Sequence, residues 1–243
     1  MFQKVLSISI FTILLNAFLS SLLGIGSKQV RFTGTAYDLE TGKLLYRDYH
    51  EEFWENGKHT HSLVTYKDPE GKTFAKKRIS FVKNRNVPDF QLDDDRDGYL
   101  EGGSFLGGDS VKLFARRKTD QPIQEKVLEN NGPAALDGGF DYFVEDHWEE
   151  LVSGKKLSLY FLVPVERDKF RFTVEKTKEG EFNSKPALFL RLKIDSAFLS
   201  VFVKPIDLVY DKGSKRIMEY KGTSNINDEN GKSHQVRIVY GAR

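Results

Sequence analysis

Residues 43–82 read KLLYRDYHEEFWENGKHTHSLVTYKDPEGKTFAKKRISFV, and this stretch decides the fold. Residues 43–54 alternate as a strand, and Asn56-Gly57 follows them. Both central residues of a type I′ turn need positive φ, which Asn and Gly adopt most easily. Asn-Gly after such a run is therefore the strongest short hairpin signal. Residues 59–67 return as the second arm, and Asp68-Pro69-Glu70-Gly71 turns the chain into 72–82. Upstream, residues 29–38 (QVRFTGTAYD) lead through Glu40-Thr41-Gly42-Lys43 into the first arm. The result is a four-stranded antiparallel meander, which strands at 110–118 and 122–128 continue.

One helix interrupts the strands. Phe140, Phe143, Val144, His147, Trp148 and Leu151 recur at the spacing of one helical face. Asp137 is placed to cap its start and Gly154 to end it. Apolar or alternating runs follow at 157–163, 168–176, 187–194, 206–211, 215–222 and 234–240. About eleven or twelve strands against one helix predict a mainly β protein. Its expected form is a large curled antiparallel sheet, a half-barrel, with the amphipathic helix packed against it. No linker divides the chain. The loop at 129–138 carries it over to the helix, so residues 27–243 form a single domain.

Residues 1–26, MFQKVLSISIFTILLNAFLSSLLGIG, place one lysine before an uncharged run that lasts to Lys28. This is a signal-peptide pattern, with Gly24 and Gly26 as small residues before a cleavage point at Ser27. Left uncleaved, the same run is long enough to anchor the chain in the inner membrane. Either way the rest is expected outside the cytoplasm, in the periplasm or cell envelope. The chain has no cysteine, so the exported part forms no disulfide and offers no thiol for lipid attachment. With 37 basic and 35 acidic residues interleaved, nothing attracts nucleic acid, and the membrane is met only through a retained leader.

The stretch PIDLVYDKGSKRIMEY at 205–220 resembles the closing hairpin of periplasmic proteins of the lipoprotein-carrier type and related exported domains of unknown function. Such proteins share a long antiparallel sheet curled round a helix. The resemblance implies a half-barrel able to hold an acyl chain or other apolar ligand. It carries over no individual functional residue. The polar segment at 84–110 departs from it.

Three groups could carry chemistry. Asp93, Asp95, Asp97 and Gly98 match the start of a calcium loop, but its twelfth position is Ser104 where a bidentate Glu belongs. An acidic surface turn is the alternative. In the hairpin, a two-residue turn pairs Glu55 with Lys58, Trp54 with His59, Glu52 with His61 and His50 with Leu63. That register puts His50, Glu52, Trp54, His59 and His61 on one face. His50, Glu52, His59 and His61 are then candidate ligands of a zinc-type ion. A solvated polar face with Glu52 beside His61 is the alternative. His147, amid Asp146, Glu145, Glu149 and Glu150, is the third group, and a packed histidine at a core edge is its plainer reading. No G-x-S-x-G, P-loop or G-x-G-x-x-G after a strand supports catalysis.

Two function classes result. The first is a non-enzymatic envelope protein that binds a lipid, an acyl chain or a protein partner. Phe140, Phe143, Val144, Trp148, Phe161, Phe172 and Phe189 are then the candidate ligand-binding residues. The second is a metal-dependent or acid–base hydrolase on the His50, Glu52 and His61 face.

Overall fold

A computed structural model describes residues 26–241. The leader at 1–26 lies, but for Gly26, outside the described residues. Among these, no helix is long and apolar enough to cross a membrane.

The alternating runs form strands β1 (Ser27–Asp38), β2 (Leu44–Glu55), β3 (Lys58–Lys67) and β4 (Thr73–Ser80), as the meander predicts. The chain continues through β5 (Asp89–Asp94), β6 (Leu100–Gly107), β7 (Ser110–Arg116) and β8 (Gln124–Glu129). After β9 (Ala134–Ala135) come helices α1 (Gly139–Asp146) and α2 (Trp148–Val152). Strands β10 (Leu157–Val163), β11 (Asp168–Phe182), β12 (Lys185–Ile194), β13 (Ile206–Asp211), β14 (Ile217–Asn227) and β15 (Ser233–Tyr240) complete the chain.

All fifteen strands belong to one sheet, ordered β8 to β1, then β15 down to β9. Every pairing is antiparallel except β9 with β10. The chain thus starts mid-sheet, meanders to one edge and reappears at the other edge. It then meanders back until β15 pairs with β1, with Ala36 opposite Ile238. The two edge strands, β8 and β9, are joined by the short link 130–133 and not by ladder hydrogen bonds. Side chains cross this seam: Arg117 meets Glu166 at 3.2 Å, and Lys169 Nζ donates to the Glu129 carbonyl.

Two findings correct the expected elements. Residues 89–94 and 100–107, read as a polar and glycine-rich loop, are strands β5 and β6. Asp, which β5 carries three times, and Gly, which β6 carries three times, are both depleted in strands, which hid them. Here the absence of a side chain is needed. A Cβ on Gly102 would lie 2.4 Å from both the Phe90 carbonyl and the Phe114 ring. The helix is also two short helices, broken at His147, whose φ is −108° and ψ 22°. The apolar stripe survives the break: Phe140, Phe143, Val144, Trp148 and Leu151 are all buried.

The inner sheet face encloses two apolar clusters. Val64, Phe74, Leu92 and Leu113 build the first with β1 to β7. The helical stripe builds the second with Leu159, Val174, Leu188, Leu190 and Leu208. Tyr220 touches both.

Candidate functional site

The predicted hairpin turn is present, with positive φ at Asn56 (51°) and Gly57 (74°), and Trp54 opposite His59. Beyond that pair the expected register fails. A β-bulge between Phe53 and Trp54 sets His61 opposite Phe53, Ser62 opposite Glu52 and Val64 opposite His50. A one-residue slip sends side chains to the other face. His61 therefore stands exposed on the outer face with Leu63, while Ser62 and Val64 point inward and are buried.

Of the remaining candidates, Glu52 and His59 both contact Trp54, and His50 stacks on Phe32. His59 is stacked on Trp54 with ring centres 5.0 Å apart. Its Nε2 lies 2.9 Å from the His61 carbonyl and so donates to it, which leaves Nδ1 to accept from the Tyr142 hydroxyl at 2.7 Å. His59 thus ties the hairpin to α1. Buried Glu52 accepts from Trp54 Nε1 at 3.2 Å and from Arg216 Nη1 at 3.4 Å. His50 stacks on Phe32 at 4.3 Å with Nε2 3.4 Å from Asp48 Oδ2. Among the described residues, no three His, Asp or Glu side chains gather to hold a metal ion. Nor do the calcium-loop carboxylates converge. Asp93 pairs with Arg78 at 2.9 Å, Asp94 takes Arg96, and Asp97 Oδ1 accepts from the Tyr99 amide at 3.0 Å. His147 is bonded to Glu150 at 2.7 Å against the Phe143 ring.

A buried polar group inside the sheet was missed by the sequence reading. Lys77 of β4 points inward and donates to both oxygens of Asp137, each at 2.9 Å. Asn225 of β14 donates to Asp137 Oδ2 at 3.3 Å. Asp137 therefore clamps the start of α1 to the sheet from a left-handed conformation (φ 47°), and its Oδ1 also accepts from the Gly138 N–H at 2.7 Å, one residue before the helix. Burial alone pulls the Lys77 pKa down, but Asp137 and Tyr66 together raise it above the ordinary lysine range. Lys77 sits between Lys76 and Arg78 in a basic run that reads as solvent-facing, so only its long-range partner could reveal this role.

Glu101 lies in the same group. Burial pushes its carboxyl from 4.5 up to about 7; the negative Asp137 adds to the rise, and Tyr99, Lys77 and Asn225 oppose it. A carboxyl raised on folding binds more protons in the native state than in the unfolded one between these two values. Stability is then fully present below pH 4.5 and falls as pH climbs through about 7. The rise corresponds to roughly 3 kcal/mol. Glu101→Gln is expected to gain that much relative to the native chain between about pH 4.5 and pH 8. Urea unfolding at the two pH values checks it, and a pH-independent difference would refute the protonated state.

Six of the seven candidate ligand-binding residues are packed in or against the second cluster. Phe140, Phe143, Val144, Trp148 and Phe172 are buried in the second cluster, with Phe161 half-buried against it. Phe189 is a correction: the period of two puts it on the face opposite Leu188 and Leu190, with Lys178 Nζ 4.4 Å above its ring. Two open concavities lie on the described residues. A groove of about 1490 Å³ runs along β1, β15 and β14, lined by Thr33, Thr35, Tyr37, Arg237 and Val239. A cleft of about 230 Å³ lies by Asn84, Phe105 and Asn130. None of the seven residues lines either one.

The apolar surface that stands out is elsewhere. Residues 195–205, between β12 and β13, read DSAFLSVFVKP. Phe198, Val201 and Phe202 are 75%, 77% and 72% exposed. The turn beneath them is hydrogen-bonded: Ser200 N donates to the Ser196 carbonyl at 2.8 Å, and Phe202 N to the Leu199 carbonyl at 2.9 Å. The two rings meet edge-on with centres 5.7 Å apart. Val203 turns back onto the second cluster. The signal was present in sequence as a run of five large apolar residues in a stretch of six, fitting neither helix nor strand period.

No family model and no curated protein matches this chain. Among solved structures it is similar to a β-barrel-like protein of a domain of unknown function, DUF1849, from Brucella abortus. That similarity has 9% sequence identity and a TM-score of 0.40, and covers 90% of this chain and 98% of the other.

Proposed function

We propose that this is an exported, non-enzymatic binding protein of the cell envelope, and that it meets an apolar partner at the loop 195–205. The observation that carries this reading is the trio Phe198, Val201 and Phe202, held out into solvent by a hydrogen-bonded turn. Leaving such side chains in water forgoes roughly 1.5–3 kcal/mol each. A contiguous exposed apolar patch of this kind marks an interaction site. The packing of Phe140, Phe143, Val144, Trp148 and Phe172 in the second cluster favours surface contact over an enclosed carrier cavity. The leader at 1–26 and the resemblance of 205–220 to lipoprotein carriers both point to an envelope role next to lipid. The hydrolase reading is the poorer one, because His61 faces away from Glu52.

The test is binding of the dye 1-anilinonaphthalene-8-sulfonate by the native chain and by the double variant Phe198→Ser, Phe202→Ser. The native chain is expected to enhance dye fluorescence, and the variant to lose most of that enhancement at an unchanged melting temperature. Equal fluorescence from both would remove the loop as the apolar contact surface.

A further inference from the structure

We propose that the partner of the loop 195–205 is the surface of a lipid bilayer, into which Phe198, Val201 and Phe202 insert. This rests on the reading above that the loop is the contact surface.

The area argues for lipid over a protein. Two phenylalanines and a valine about three-quarters exposed offer roughly 400 Å². A specific protein interface, including one between two copies of this chain, takes about 800 Å² from each partner. The trio sits on an exposed turn and lines neither concavity, and the exposed apolar residues beside it, Ala197 and Pro205, are small. Leu199 and Val203 are already partly covered. A bilayer needs no complementary shape, and a few apolar side chains on one loop suffice for reversible attachment.

Charge argues the same way. Between Ser196 and Ile206 there is no acidic residue, and Lys204 follows the aromatic pair. The nearest carboxylate, Asp195, is held by Arg171 at 3.4 Å and by the Thr173 hydroxyl at 2.6 Å. An exposed lysine beside buried aromatics suits the headgroup layer, where anionic lipids attract it. Aromatic rings are themselves favoured at that depth.

The register fixes how the protein would sit. Ser27 pairs with Glu55, Val239 with Glu219, and Tyr210 with Ile217, so these residues share one end of the strands. Leu192 pairs with Ile206 at the other end, where the loop emerges. Gly26 therefore lies at the end of the strands opposite the inserted loop. Loop attachment is independent of any hold the leader has on a membrane.

The test is flotation with vesicles of phosphatidylethanolamine and phosphatidylglycerol, using the full chain so that residues 1–25 contribute equally to every variant. The native chain is expected to float, and Phe198→Ser with Phe202→Ser to lower partitioning at least about tenfold. Phe202→Trp adds a reporter. Its emission, taken as the difference from the native chain with Trp54 and Trp148, should shift to the blue and be quenched by brominated lipid. A reporter that neither shifts nor is quenched would overturn the bilayer, whatever residues 1–25 contribute to flotation. If that happens while the variant still loses dye binding, the loop remains the contact surface for a partner other than lipid. If dye binding is also unchanged, both readings fall.

Discussion

Replacing Lys77 by Met is expected to cost about 3–5 kcal/mol of folding stability, the penalty for stranding one member of a buried ion pair. Among the described residues its ammonium is the only cation bonded to the Asp137 carboxylate, at 2.9 Å to each oxygen. Both side chains are nearly buried, at 12% and 10% exposure. Met keeps most of the aliphatic stem, so lost packing is a minor part of the effect. The same contact pins the start of α1 to β4, and the helical stripe should loosen with it. The double variant Lys77→Met, Asp137→Asn removes both charges and is expected to recover much of the loss, since a neutral pair carries no stranded charge. Chemical denaturation of the three chains measures this. A single-variant cost below about 1 kcal/mol, or a double variant no better than the single, would show that the pair does not act as a clamp.

Trp148→Ala is expected to cost about 3–5 kcal/mol, the range for truncating a large aromatic side chain in a filled core. Trp148 is buried on the helical stripe, with its ring edge-on to Tyr210 at 6.4 Å and Lys215 Nζ 5.6 Å above it. The Tyr210 hydroxyl in turn donates to Asp141 of α1 at 2.7 Å. Removing the indole therefore leaves a cavity that neither helix nor sheet can easily close. A helix lying as a lid over an empty ligand pocket would lose far less. Equilibrium unfolding separates the two, and a cost under about 1 kcal/mol would return the acyl-carrier interior to consideration. Trp54→Phe is a suitable background, because Trp148 then reports its own environment.

Local patterns were readable where one residue type controls the backbone. Asn56-Gly57 marked its hairpin because positive φ admits few residues. The stripe from Phe140 to Leu151 marked the face that is buried, although not the break at His147. Strand β5 was illegible because its three aspartates read as a loop, and β6 because Gly102 and Gly103 are there for the close approach of Phe90, Phe114 and Leu136, which are distant in sequence or meet them only through the sheet. The histidine cluster failed for a related reason. A bulge of one residue leaves no mark in the sequence, yet it reverses the face of His61.

The sequence by itself determined that this chain is a meander of alternating strands with one amphipathic helical segment, because periodicity and turn chemistry are local properties of the chain. Only the tertiary structure decided that β1 and β15 join the two halves, that Lys77, Glu101, Asp137 and Asn225 meet inside, and that Phe198, Val201 and Phe202 are left outside. Those outcomes depend on which distant residues come to cover one another. Burial is a property of the assembled surface, and an apolar run carries no sign of whether a partner within the chain will reach it.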